Sequence, residues 1–104
     1  MTNIINLTPH AIHIGEVTIE PSGIVPRCNE ISADAGEVNG IPLIIRSYGQ
    51  VSDMPEPQED TLYIVSMLVR LALPERVDIA SPGDLVRDRD GKIVGASNLV
   101  VNRW

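Results

Sequence analysis

Few side chains in this 104-residue sequence can do chemistry, and their spacing limits what that chemistry could be. His10 and His13 stand three apart, which would bring them together on a helix but sends them to opposite faces of a strand. With no Cys-X-X-Cys and no His-Glu-X-X-His pattern, the sequence offers no metal-ligand set and implies no cofactor. His10 has two readings, a side chain that secures the Thr8-Pro9 turn or a ligand contact or general base beside a pocket. Cys28 follows Arg27, a cation that would lower a thiol pKa, but no base stands near it in sequence, so a structural cysteine is the plainer reading. Ser66 lies where a strand meets a helix, as nucleophilic serines do, yet the Gly-X-Ser-X-Gly pattern is missing and a helix cap accounts for it. Charge is densest from Arg76 to Asp88. Arg76 and Asp78 share one face of an extended chain and can pair, and Arg87 adds a second cation. This group is either a surface salt-bridge cluster or an arginine-lined pocket for a phosphate or carboxylate.

The elements that must position these residues are mostly strands. Ile4 to Leu7 reads as a first strand ended by Thr8-Pro9, and a second begins at His10. Gly15-Glu16 between two extended runs is a type II′ hairpin signal that returns the chain through Val17 to Ile19. Ile24 to Cys28 is a candidate edge strand because Pro26 is tolerated only at an edge or bulge. Asp34 to Gly40 reads as a polar, glycine-containing connection, with Asn39-Gly40 turning into a strand over Ile41 to Ile45, after which the pattern becomes irregular. Ser52 to Asp60, with two prolines and four acids, reads as a surface loop. Thr61 to Val65 is a strand, and Met67 to Leu73 a short helix, apolar on all sides except at Arg70 and stopped by Pro74. Val77 to Ala80 is a strand, Ser81 to Asp84 a turn, and Leu85 to Arg87 returns through an Asp90-Gly91 hairpin to Lys92–Gly95. The expected fold is mainly β, a small barrel or sandwich of six to eight short strands with one short helix over an opening, with an α+β arrangement as the alternative.

Composition sets outer bounds. The length suits a single domain, residues 1–104, with a core of Ile, Val and Leu, since Tyr48, Tyr63 and Trp104 are the only aromatics. A net charge of −6 with eight Lys and Arg argues against nucleic-acid binding. One cysteine and the lack of a signal-like or membrane-spanning run lead to the expectation of a cytoplasmic protein that does not enter membranes. A helix apolar all round in so small a domain suggests a homo-oligomer.

Ile5-Asn6-Leu7-Thr8-Pro9-His10-Ala11-Ile12, Pro21-Ser22-Gly23, Tyr63 to Ser66, Arg76-Val77-Asp78 and Leu85-Val86-Arg87-Asp88 with Gly91 resemble a family of small phage and prophage proteins across nearly the whole chain. Pro26 departs from the smaller residue that relatives often carry. The resemblance implies a phage or mobile-element origin, and it directs attention to Asn6, Thr8, His10, Ser22, Arg27, Ser66, Arg76, Asp78, Arg87 and Asp88. By analogy with small phage proteins that bind host components, the expected function is non-enzymatic capture of a small anionic, nucleotide-like ligand, such as a defence signal of the host. Arg76, Arg87 and Arg27 would bind the anion, with Asp78, His10 and Ser66 beside them. Two other readings are an inhibitor that engages a host protein through the acidic loop Asp53 to Asp60, and a hydrolase with His10 as base and Asp78 as its orienting partner.

Overall fold

The computed structural model describes residues 2–103, which leaves Trp104 outside. The described chain is mostly strand with one short helix, arranged in three separate sheets and not in a closed barrel. The first sheet joins β1 (Asn3–Asn6), β6 (Thr61–Ile64), β7 (Ile79–Pro82) and β10 (Leu99–Val101) in the order β1-β6-β7-β10. β6 runs parallel to both β1 and β7, and β10 closes the sheet antiparallel to β7. Parallel neighbours need cover on both faces, and the centre of this sheet has it: Tyr63, Ile64, Ile79 and Ala80 are almost inaccessible. Leu7, Tyr63, Val65, Val69 and Ile79 form the core cluster, with Ile5, Val51, Met54 and Leu73 packed against it.

The second sheet has the order β3-β2-β9-β8, from β2 (Ile12–Ile14), β3 (Val17–Ile19), β8 (Leu85–Arg87) and β9 (Ile93–Ala96). β2 and β3 form the anticipated hairpin, with Gly15 at φ +59° as the first loop residue of a type II′ turn requires. The Asp90-Gly91 hairpin also forms, but with a longer loop than its dipeptide suggests. Gly91 sits at φ +79°, its N–H bonds the Asp88 carbonyl, and Asp88 Oδ1 accepts from the N–H groups of Asp90 and Lys92. Gly95 is required on other grounds, since a Cβ there would run into the His13 carbonyl on the neighbouring strand.

The third sheet is a two-stranded ribbon of β4 (Arg27–Val38) and β5 (Ile41–Ser52), twelve residues each. It corrects the sequence expectation in three places. The strand assigned to Ile24–Cys28 starts only at Arg27, and Pro26 lies buried ahead of it. Asp34 to Val38 belongs to β4 because a register shift between Asp34 and Glu37 absorbs Gly36, at φ +93°. Beyond Ile45 the chain stays in β5 as far as Ser52. Asn39 and Gly40 make the predicted turn, both with positive φ, +51° and +79°, as a type I′ turn demands.

The helix α1 (Met67–Ala72) lies against the ribbon and β7. Ser66 is its N-cap, with Oγ accepting from the Val69 N–H at 3.3 Å. Val69 is its buried residue, whereas Met67, Leu68 and Leu71 are exposed, so this helix is only partly covered. The strand expected at Val77 to Ala80 is displaced to Ile79–Pro82, and the ion pair of Arg76 and Asp78 lies in the bend just ahead of it.

Candidate functional site

At the base of the ribbon the two ends of the hairpin flank a wide, open cleft of about 690 Å³. Gly23, Ile24, Val25 and Arg27 form one wall, and Asp53, Met54 and Pro55 form the other. Both walls are set by the same register, since Arg27 pairs with Ser52 and the chain leaves β5 at Asp53 with φ +61°. The first wall is fixed to the body of the protein. The Ser22 N–H bonds the Asn6 carbonyl, Ser22 Oγ accepts from the Ile24 N–H, and Pro26 is buried. Arg27 is exposed and makes no ion pair among the described residues.

Arg76 stands behind the second wall and does not project into the cleft as a free cation. Its Nε and Nη2 donate to the two carboxylate oxygens of Asp78 at 2.7 and 2.8 Å, and Nη2 also donates to the Pro55 carbonyl at 3.2 Å. Both side chains are largely covered, which strengthens the bidentate pair relative to a solvated one. The Asp78 hydrogen bonds hold the Arg76 pKa above its ordinary value, and the same bonds with the Arg76 charge hold the Asp78 carboxyl below its own, against the opposing effect of burial. Arg76 is therefore a positioning residue for Pro55. Asp78 engages Arg76 with both oxygens, and no hydrogen bond joins it to His10 among the described residues.

The other candidates lie apart from the cleft. Arg87 Nη1 donates to the Gly91 carbonyl at 2.9 Å and secures its own hairpin in the second sheet. Ser66 caps α1. The link between His10 and its turn runs through the backbone: the His10 carbonyl accepts from Asn6 Nδ2 at 2.8 Å, while the residue itself is exposed. Cys28, half-buried at the ribbon base, directs its thiol to the Gly49 carbonyl at 3.7 Å.

The acidic loop is less free than its composition suggests. Besides the Pro55 bond to Arg76, the Glu56 carbonyl accepts from Tyr63 Oη at 3.0 Å and the Glu59 carbonyl from Thr61 Oγ1 at 3.1 Å. A second depression, about 280 Å³ and mostly apolar, opens between Ile12, His13, Leu85 and Ile93 and carries no cation. Sequence reasoning did not single out Asp53 as a cleft residue, since its acidic neighbours made it one of a series. It also overlooked the polar cluster of Arg70, Ser81 and Asn102. Arg70 Nε donates to Ser81 Oγ at 2.8 Å and Nη1 to Asn102 Oδ1 at 3.3 Å, which ties α1 to β7 and the end of β10. No local pattern marks these residues because the partners come from distant segments.

No protein-family model matches this sequence, and neither a curated protein nor a solved structure matches it.

Proposed function

We propose that this chain is a non-enzymatic, phage-derived binding protein of the bacterial cytoplasm that holds a small anionic, nucleotide-like molecule in the cleft between Arg27 and Asp53. The observation that supports this reading is Arg27, which has no ion pair among the described residues, at the rim of an open cleft of about 690 Å³, large enough for a small molecule. A guanidinium binds phosphate oxygens through paired N–H donors. Ile24, Val25, Met54 and Pro55 supply an apolar surface for a flat ring, and the Asp53 carboxylate can accept from sugar hydroxyls.

Charge narrows the class. A lining with one arginine and one carboxylate, in a chain of net charge −6, suits a singly charged phosphodiester better than a triphosphate, whose further charges would meet no other cation in the lining. Arg76 contributes by holding Pro55 in place and not by touching the ligand. A thermal-shift panel of cyclic nucleotides and nucleoside mono- and triphosphates tests the reading. A cyclic or diester member is expected to raise the Tm, triphosphates to raise it less, and Arg27→Ala to abolish the shift. A panel without effect, or shifts equal in the parent and Arg27→Ala, would refute it.

A further inference from the structure

The β4–β5 ribbon carries an inference independent of the cleft. Every residue from Asn29 to Gln50 is exposed, and the radius of gyration is 16.5 Å, against about 13 Å for a compact chain of this length. The ribbon is therefore an arm that projects from the body. Its register sorts side chains by chemistry. Ile31, Val38, Ile41, Leu43 and Ile45 fall on one face, the most open of them Ile41 and Ile45 at 63% and 62% exposure. Glu30, Asp34, Glu37 and Arg46 fall on the opposite face together with Ile44 and Tyr48, and there Glu30 and Arg46 form an ion pair at 2.7 Å, so all the charges of the paired positions between Glu30 and Tyr48 lie on this second face. A two-stranded ribbon is at best marginally stable alone in water, and this one leaves its apolar face uncovered.

We infer that the apolar face of the arm is a self-association surface, covered by the same face of a second copy of this chain. Three observations select that occupant. The face bears no formal charge, so two chains of −6 meet there without bringing like charges together. A face that is aliphatic except for Ser47 at one end is complementary to itself, as a two-fold contact requires, and offers little polar pattern by which a particular foreign partner would be read. Area sets the geometry. Strands of twelve residues give a face about 40 Å long and about 10 Å wide, roughly 400 Å² of footprint per copy. Two such faces, with side chains interlocked, approach the lower bound of about 1,200 Å² for a specific interface only if the arms overlap along their full length. The pairing is thus face to face, with the ribbons about 10 Å apart. Pairing through the edges is disfavoured by Pro42, which removes one N–H from the outer rim of β5.

Sedimentation velocity on the full chain at about 100 μM, where a micromolar Kd leaves most chains paired, tests this inference. The parent is expected to sediment as a dimer. Ile45→Glu is expected to weaken the dimer at least about tenfold, while Arg46→Ala on the charged face leaves it intact. Ile45 is solvent-exposed in the single chain, and an unchanged circular dichroism spectrum separates lost association from lost folding. A monomeric parent, or a dimer that tolerates Ile45→Glu as edge pairing would, overturns the inference.

Discussion

At the scale of single residues, the Asn6 side chain makes four hydrogen bonds. It is 1% exposed, donates from Nδ2 to the His10 and Ile19 carbonyls, and accepts at Oδ1 from the N–H and hydroxyl of Thr8. One carboxamide thus ties β1 to the following turn and to the end of β3. Asn6→Ala leaves several of these groups buried without partners and is expected to cost about 3 kcal/mol, a fall in Tm of about 15 °C by calorimetry. The Arg76–Asp78 pair makes a second residue-scale prediction. The Asp78 pKa is lowered in the fold, so its contribution is fully present above the unfolded value near 4 and is lost as pH falls through the folded value. Asp78→Asn is expected to lower stability at neutral pH and to flatten its decline between about pH 5 and about pH 2 in urea titrations. Equal slopes in parent and variant would show that the pair is not formed.

At the scale of elements, most turns were legible in the sequence because their chemistry is local. Asn39-Gly40 and Gly15-Glu16 specify positive-φ loops whatever lies around them. The ribbon was not legible. Gly36 and the polar residues near it look like a connection, and only pairing with β5 across a bulge makes them strand. The helix divides in the same way. Its N-cap is local and could be read from Ser66, whereas its C-terminal end is closed by Asn102, whose Nδ2 donates to the Leu73 and Arg76 carbonyls. Those contacts span 26 and 29 residues, beyond any local pattern. Asn102→Ala is expected to cost about 2 kcal/mol, read from chemical denaturation, because terminal helix carbonyls lose their donor.

At the scale of the whole molecule, a mainly β domain could be anticipated from branched aliphatics and turn residues, but its division into two four-stranded sheets and an arm could not. The candidate site was legible in part for the same reason. Arg27 was marked as a polar position, yet its place beside Asp53 follows from the hairpin register, and Arg76 is removed from the ligand side by a bidentate partner two residues away. The Arg-Asp-X-X-Gly pattern at Arg87 to Gly91 maintains a hairpin, so density of charge was a poor guide to the cleft. Arm and cleft meet at the foot of β4, where Arg27 begins the strand, so one element carries both the proposed ligand contact and the self-association face.

Native mass spectrometry of the full chain mixed with cyclic and linear nucleotides tests the central claim most directly. The parent is expected to retain one phosphodiester-bearing molecule per chain, and Arg27→Ala to appear as bare chains. Bare chains in both, or equal retention in both, would contradict it.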